Sequence, residues 1–281
     1  SEARKDLTFP HQKGGNSDIR MAYCPERVLP GHVLKEIVEN DRVIGGLSPQ
    51  CSESAKALYK IFVQGECLIS NARTAEMCKL TENAYRDVNI AFANELSLIC
   101  EKMNINVWDL IQLANHHPRV KILQPGPGVG GHCIAVDPWF IVDSAPELAR
   151  LIRTSREVND NKPHHVVSRV KEAVAGIKNP TIACLGLAFK ADIDDLRESP
   201  AMDIVHHLAK EKVGTLLVVE PHVEALPPSL ASFPHVKLVE LDEALKQSLV
   251  VLLLVNHRSF YDVDRKVLEG KKIIDTRGVW R

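Results

Sequence analysis

The chain has 281 residues, of which 45% are apolar and 25% charged, and its formal net charge is −1. A chain of this length and composition can bury a substantial core and make two domains. The near-neutral charge argues against a general nucleic-acid surface and against an anionic-membrane surface.

The cysteines and the apolar runs indicate the compartment. Seven cysteines are scattered without CxxC spacing, which is typical of reduced thiols and not of a disulfide framework or zinc site. The longest apolar run, residues 249–255, is too short to span a bilayer, and residues 1–6 lack the apolar core of a signal peptide. We therefore expect a cytoplasmic protein without membrane association.

Residues 7–70 alternate β-rich and helical patterns. Strands are predicted at 19–23, 42–46 and 66–69, and a helix at 52–62, which is the pattern of an α/β fold. Three strands are few for a sheet covered on both faces. The chain is thus expected to begin partway through an α/β unit.

A long helix is predicted over 74–103, capped by Asn71 or Thr74, and a second helix over 107–115. Lys79, Asn83 and Arg86 lie at i, i+4 and i+7 and therefore share one face of the long helix. An amine, an amide and a guanidinium suit an anionic ligand or a developing oxyanion. The alternative is an ordinary solvated helix face.

The glycine-rich run 126–131 is followed directly by His132 and Cys133, with Asp137 four residues further on. Glycines let the backbone approach a ligand closely, so the pattern is typical of a nucleophile on a loop. A tight turn beside a buried structural cysteine is the alternative. A dinucleotide-binding turn is rejected, because the run follows no predicted strand and precedes the β-prone residues 134–138.

From residue 163 the α/β pattern resumes and predicts a mainly parallel sheet. Helices are expected at 163–175 and 200–212, and strands at 181–185, 215–219, 249–255 and 272–275. Lys190 and Arg197 follow the first of these strands, where ligands of parallel sheets bind, and are candidate phosphate contacts. Three adjacent histidine pairs lack metal-ligand spacing, so no metal is expected.

Five motifs occur in order along almost the whole chain. They are Cys24-Pro25-Glu26-Arg27; Lys79 with Asn83 and Arg86; Arg119 before Gly128-Val129-Gly130-Gly131-His132-Cys133 and Asp137; Gly186-Leu187-Ala188-Phe189-Lys190; and Asp195 with Arg197-Glu198-Ser199-Pro200. This set resembles the nucleotide-sugar 6-dehydrogenases, the UDP-glucose/GDP-mannose dehydrogenase family. The resemblance implies the remnant of an N-terminal Rossmann-like NAD-binding domain (1–72), a central long-helix dimerisation domain with the cysteine loop (73–162), and a C-terminal Rossmann-like parallel-sheet UDP-binding domain (163–281).

The resemblance also implies a reaction. Members oxidise a primary alcohol of the sugar to a carboxylate in two NAD-dependent steps, through a thiohemiacetal and a thioester on the cysteine. Residues 23–31 and His132 are most similar to members that act on UDP-N-acetyl-D-mannosamine. UDP-glucose or GDP-mannose stays open as the substrate, as does a noncatalytic UDP-sugar-binding and dimerisation fragment.

Roles carried over from the family fall on matching residues. Cys133 is the nucleophile, Lys79 and Asn83 face the oxyanion, Asp137 orients Lys79 or the hydrolytic water, and Glu26 helps proton transfer in thioester hydrolysis. A structural alternative is that Glu26 simply pairs with Arg27. The implied substrate contacts are Arg27, Val28, Lys79, Asn83, Arg86, His117, Arg119, Gly130, Phe189, Lys190 and Arg277.

Further contacts concern the cofactor and a second subunit. Arg197 matches a residue near NAD, and Arg119 matches one that reaches a neighbouring subunit's site, which implies a homodimer built on the long helix. Complete members carry a Gly-x-Gly-x-x-Gly turn close to the N-terminus, and nothing before Tyr23 supplies one. We therefore expect the NAD site to be mostly missing and the chain alone to turn over poorly or not at all.

Overall fold

The computed structural model describes residues 6–13, 16–28 and 32–281. Contacts divide the chain into two compact units, Ser1–Asn83 and Ala84–Arg281. The elements that lie within the first unit are α1 (Pro10–Lys13), β1 (Ala22–Tyr23), α2 (Val33–Glu39), β2 (Arg42–Gly46), α3 (Pro49–Tyr59) and β3 (Cys67–Asn71). The long helix α4 (Ala72–Lys102) begins in the first unit and ends in the second.

The first unit is a three-stranded sheet with α3 packed on it. β2 lies in the middle, antiparallel to β1 and parallel to β3. The turn from β2 into α3 is tight: a Cβ on Gly46 would lie 2.4 Å from the Ser52 nitrogen. Ser48 caps α3 and Pro49 occupies its first turn, where proline needs no hydrogen-bond partner. The helix therefore begins three residues before its predicted start at residue 52.

The predicted start of the long helix agrees with the structure to within two residues. The Asn71 side chain accepts a hydrogen bond from the Thr74 N–H at 2.9 Å, so Asn71 is the capping residue. Of the predicted strand 19–23, only Ala22–Tyr23 pairs in the sheet. The strand predicted over 42–46 coincides with β2.

The second unit contains the remaining α-helices and strands. They are α5 (Val107–Ala114), α6 (Asp137–Ser144), α7 (Arg150–Val174), β4 (Thr181–Leu185), α8 (Pro200–Lys210), β5 (Thr215–Val219), α9 (Pro228–Ala231), β6 (Val236–Leu238), α10 (Leu241–Gln247), β7 (Val250–Leu253) and β8 (Lys272–Asp275). Among the helices described, none combines the length and apolar composition needed to cross a membrane.

The sheet of the second unit is wholly parallel, in the order β6-β5-β4-β7-β8. Numbered from its first strand this is 3-2-1-4-5, the order of a Rossmann-type sheet. Alternate residues of β4 enter opposite cores: Ile182 packs in the core that includes α7 and α8, and Ala183 in the core that includes α10. The expected α/β fold with a C-terminal Rossmann-like sheet is confirmed.

Two local predictions are wrong. Pro163 does not begin a helix but is buried inside α7, because side chains on both sides of it, including Asn159 and Val166, are packed and hold the helix together. Residues 134–138 form no strand. Residues 134–136 make turns that lead into α6, which begins at Asp137; the Asp137 N–H donates to the Cys133 carbonyl at 2.8 Å, and Pro138 lies in the first helical turn.

Candidate active site

Cys133 is exposed and lies in the turn that leads into α6. Its carbonyl oxygen accepts hydrogen bonds from the N–H groups of Val136 and Asp137, at 3.1 and 2.8 Å. The alternative of a buried structural cysteine is therefore wrong. Accessibility of the thiol is one requirement for nucleophilic attack on a bound molecule.

Glycines fasten the cysteine loop to the segment that precedes α8. A Cβ on Gly130 would lie 2.2 Å from the Glu198 carbonyl oxygen, closer than any real side chain approaches. The next residue, Gly131, has a φ of +87° and donates its N–H to the same oxygen at 3.2 Å. Position 130 therefore requires glycine because any side chain would collide with the Glu198 carbonyl. Position 131 favours glycine because its φ is positive.

A buried polar network holds the other end of this loop. Asn94 of α4 accepts the Gly126 N–H at 2.8 Å and donates to Asn159 of α7 at 2.8 Å. Asn159 donates in turn to the Asp87 carboxylate, which also pairs with Arg156. The sequence interpretation missed this network. The feature that could have indicated it is a row of polar side chains on a helix face that is otherwise apolar.

The C-terminal candidates lie against the same loop. A Cβ on Gly131 would be 3.3 Å from the Phe189 ring, and a Cβ on Gly126 would be 2.6 Å from the Arg277 guanidinium. Arg277 donates from Nε to the Leu254 carbonyl at 3.1 Å, and burial lowers the pKa of its guanidinium to about 10. The structure therefore brings Gly130, Phe189 and Arg277 to the loop that carries Cys133.

Other predicted contacts of the second unit are exposed. Arg86 and Lys190 face solvent, as do His117 and Arg119, whose N–H donates to His117 Nδ1 at 3.3 Å. These four residues make no contact with the cysteine loop among the described hydrogen bonds.

Arg197 forms a two-point pair with Asp195, from Nε at 2.8 Å and from NH2 at 2.7 Å. The Arg197 guanidinium holds the pKa of the Asp195 carboxyl well below its usual range. Within the described contacts NH1 is not engaged by Asp195, and the side chain is 70% exposed. An exposed guanidinium with remaining donors is suited to binding an anionic group.

The first unit gathers the other predicted residues around Glu26. The Glu26 carboxylate accepts hydrogen bonds from the N–H groups of Arg27 and Val28, at 2.7 and 2.9 Å. Lys79 donates from Nζ to the Glu26 carbonyl at 2.9 Å. Asn83, nearby in sequence, is 8% exposed. Residues 29–31 of this motif lie outside the described residues.

The sequence interpretation missed Arg42. Its side chain is 3% exposed, and NH1 lies 3.1 and 3.0 Å from the two Glu26 carboxylate oxygens. Arg27 pairs instead with Glu82 at 2.8 Å. The alternative of a Glu26–Arg27 ion pair is therefore wrong, because the Glu26 carboxylate forms its ion pair with the buried Arg42.

Comparison with known proteins identifies the family. Its NAD binding domain matches residues 2–63, its central domain residues 73–161 and its UDP binding domain residues 183–281. The chain belongs to the UDP-glucose/GDP-mannose dehydrogenase family. The expectation that the chain is inactive because its NAD site is mostly missing is not supported, since the model for that domain matches 2–63.

Individual family members are similar over the whole chain. An NDP-N-acetyl-D-galactosaminuronic acid dehydrogenase from Ralstonia solanacearum is 64% identical over 280 residues, which cover 100% of this chain and 66% of the relative. A UDP-N-acetyl-D-mannosamine dehydrogenase from Escherichia coli is 58% identical over 289 residues, covering 100% and 68%. The chain thus spans about two thirds of the length of these relatives.

Solved structures give the same family. The UDP-N-acetyl-mannosamine dehydrogenase of S. aureus is 47% identical and superimposes with a TM-score of 0.80, covering 94% of this chain and 62% of the other. The UDP-D-ManNAc dehydrogenase of Pyrococcus horikoshii is 37% identical with a TM-score of 0.83, covering 95% and 63%.

Proposed function

We propose that this family member oxidises the primary alcohol of UDP-N-acetyl-D-mannosamine to the carboxylate. The observation that carries the proposal is the exposed Cys133 on a glycine loop against which Phe189 and Arg277 lie. Relatives whose names give this sugar are 58–63% identical to the chain. When bound, NAD accepts the hydride in each of two oxidations, from alcohol to aldehyde and from thiohemiacetal to thioester.

Cys133 divides the second oxidation into two easier steps. Its thiolate adds to the aldehyde carbon, and the carbonyl oxygen takes a proton to give a thiohemiacetal. After the second oxidation the carbon is a thioester of Cys133. Water then attacks, the C–S bond breaks, and the products are the uronate carboxylate and the regenerated thiol.

We assign further roles in these steps to polar and charged residues that the family resemblance marks. We assign Lys79 and Asn83 to stabilising the negative oxygen, since an ammonium and an amide N–H are both donors. Glu26 takes the proton of the attacking water, and the backbone and Arg42 contacts to its carboxylate fix where that base lies. Asp137 begins α6 four residues after Cys133, and we assign it to orienting Lys79 or the water.

The remaining contacts are assigned to the nucleotide sugar. Arg27, Val28, Arg86, His117, Gly130, Phe189, Lys190 and Arg277 form that set, and Arg197 is assigned to NAD. Guanidinium and ammonium groups suit a diphosphate because they offer it several N–H donors.

A C133S variant tests the chemistry. We expect wild type to form two NADH per UDP-N-acetyl-D-mannosamine and C133S to be slower by about a thousandfold or more, because serine cannot form a thioester. Binding of UDP, measured by calorimetry, should be the same in both. Uronate formation by C133S at the wild-type rate, or no NADH from wild type, would contradict the proposal.

A second sugar is favoured by one observation. The Ralstonia relative, at 64% identity, is an NDP-N-acetyl-D-galactosaminuronic acid dehydrogenase. The corresponding substrate here would be an N-acetylgalactosamine nucleotide. Comparing kcat/KM for the N-acetylmannosamine, N-acetylgalactosamine and glucose forms of the UDP-sugar, and for GDP-mannose, decides among them.

We also propose a cytoplasmic homodimer built on α4. The exposed apolar side chains Tyr85, Phe92 and Ile99 recur along that helix and Met103 follows its last residue, and the apolar stripe suits a second copy of the chain. The exposed Arg119 is the residue that the resemblance assigns to the neighbouring site. Light scattering should give twice the chain mass, and a monomer at micromolar concentration would contradict the dimer.

A further inference from the structure

The segment between Gly186 and Asp192 carries Phe189 and Lys190, two of the proposed substrate contacts. It follows β4 directly, and it begins and ends in left-handed conformations: φ is +93° at Gly186 and +60° at Asp192. Lys190 is exposed and Phe189 half-buried. An exposed segment with an irregular backbone needs contacts with buried residues to hold a single conformation.

Glu220, just after β5, supports the first half of the segment. Its side chain is fully buried. One carboxylate oxygen accepts the N–H groups of Leu187 and Ala188 at 2.6 and 3.0 Å, and the other accepts the His222 N–H at 3.2 Å. Burial pushes the pKa of Glu220 up, but hydrogen bonds from His257 and these amides outweigh it and leave the pKa below its usual range. Glu220 is thus a buried carboxylate anion.

His257 links this carboxylate to the second half of the segment. The ring is 1% exposed; Nε2 donates to Glu220 at 3.2 Å, and Nδ1 accepts the Asp192 N–H at 3.0 Å. Because a carboxylate only accepts and an amide only donates, the imidazole is the neutral form with its proton on Nε2. The Asp192 carboxylate then accepts the N–H and Nε of Arg258, at 3.0 and 2.8 Å.

A metal is the other arrangement that this cluster suggests. Asp192, His222 and His257 each offer a ligand atom within 4.8 Å of the others. However, the lone pair of His257 Nδ1 already accepts an amide N–H, and Nε2 carries the proton given to Glu220. The hydrogen-bonded arrangement satisfies the ring without an ion.

We propose that Glu220 and His257 are positioning residues that hold residues 187–192 in the shape that lets Phe189 and Lys190 bind the nucleotide of the UDP-sugar. The inference rests on the proposed function for the role of Phe189 and Lys190. Neither Glu220 nor His257 touches the substrate in this scheme. Loosening the network should therefore weaken nucleotide binding, while the Cys133 loop keeps its own contacts to Glu198 and Asn94.

Three variants of the chain test the inference. H257F fills the space without hydrogen bonds, and H257Q restores a donor near the position of Nε2. V218A is the matched control, since Val218 is fully buried in β5, the strand that precedes Glu220, and its loss destabilises the sheet generally. Two quantities are measured: hydrogen exchange of the amides at 187, 188 and 192, and the Kd for UDP by calorimetry.

We expect H257F to speed exchange at these amides and to raise the Kd for UDP, each by about tenfold or more, because a hydrogen bond to a charged group is lost. H257Q should recover most of both effects. V218A should lower the free energy of unfolding while leaving the Kd for UDP close to that of wild type.

Unchanged hydrogen exchange at amides 187, 188 and 192 in H257F would show that His257 does not hold the segment. Faster exchange with an unchanged Kd for UDP would overturn the positioning role. If the wild-type chain does not bind UDP at all, the proposed function fails and the positioning role with it. The exchange measurements would then still report separately on whether His257 holds the segment.

Discussion

Asn94, in the middle of the long helix α4, accepts the N–H of Gly126, the first glycine of the cysteine loop, at 2.8 Å. Asn94 is fully buried, and its amide also donates to Asn159 of α7. One side chain therefore joins two helices and the start of the cysteine loop. If the Asn94 side chain is removed, its polar partners are buried and cannot form hydrogen bonds with water instead.

Replacing Asn94 by leucine should destabilise the protein and disturb the loop. The change leaves the Gly126 N–H and the Asn159 side-chain oxygen buried without a partner, at a cost of about 2–5 kcal/mol in the free energy of unfolding. Urea unfolding measures this cost. The matched control is N89A on the same helix, where the hydrogen bond described for the side chain is to the Tyr85 carbonyl of that helix. N89A should change stability by under about 0.5 kcal/mol, and equal losses in both variants would contradict the network.

Gly130 should not tolerate a methyl group. Alanine there would place Cβ 2.2 Å from the Glu198 carbonyl oxygen and 2.6 Å from the Pro200 ring, neither of which is a flexible side chain. We expect G130A to shift the loop that carries Cys133 and to lower the rate of NADH formation by on the order of 100-fold.

The control for G130A is G176A. Gly176 has a φ of +77°, so alanine is strained there too, but a Cβ would meet nothing within 4 Å. G176A should lose some stability and keep the wild-type rate. A G130A enzyme as fast as G176A would show that close packing against Glu198 is not needed.

Sequence patterns predicted the elements that local signals define. Strands β2, β4, β5 and β8 coincide with their predicted ranges, because each is a short run rich in β-branched or aliphatic residues. The helices α2, α6 and α10 and the short strand β6 were not predicted. These are seven- or eight-residue helices and a three-residue strand, whose periodicity is too brief to separate them from loops.

The site was predicted as a set of residues but not as a set of contacts. Glycines, a cysteine and charged residues marked positions 26, 79 and 133 in the sequence, because the proposed chemistry uses those residue types. Arg42, Glu220 and His257 act through neighbours that are distant in sequence, and a lone arginine, glutamate or histidine carries no local signal of its partner. Their roles follow only from the fold.

Arg42 should act through Glu26. R42M removes the buried guanidinium from the Glu26 carboxylate and, of the partners described for it, leaves the backbone N–H groups of Arg27 and Val28. If Glu26 is the base of thioester hydrolysis, kcat should fall by about tenfold while the Kd for UDP stays constant.

A double-mutant comparison checks the Arg42 prediction. R42M should cause little further loss of kcat in an E26Q background, because the two changes remove the same function. R42K keeps the charge but not the planar guanidinium that contacts Glu26 through NH1 and the Ile37 carbonyl through NH2, so its kcat should fall between those of R42M and wild type. Independent, additive losses would show that Arg42 acts by another route.

Lys162 should make stability depend on pH above neutrality. It is 7% exposed in α7, its Nζ donates to Ser97, and burial lowers its pKa from 10.5 to about 8. Between these values the unfolded state binds more protons than the folded state, so the free energy of unfolding rises with pH through this window. Burying the charged Lys162 amine lowers the free energy of unfolding by about 3 kcal/mol, and this cost is fully present below pH 8.

Urea unfolding of wild type and K162M at pH 7 and pH 9 measures this effect. From pH 7 to pH 9 the free energy of unfolding of wild type should rise by about 1 kcal/mol relative to that of K162M, because this interval covers roughly one pH unit between the folded and unfolded pKa values. K171M, on the same helix, removes an exposed lysine that pairs with Glu211 and should show no such relative gain. If K162M and wild type change equally from pH 7 to pH 9, Lys162 is not the buried amine that titrates in this range.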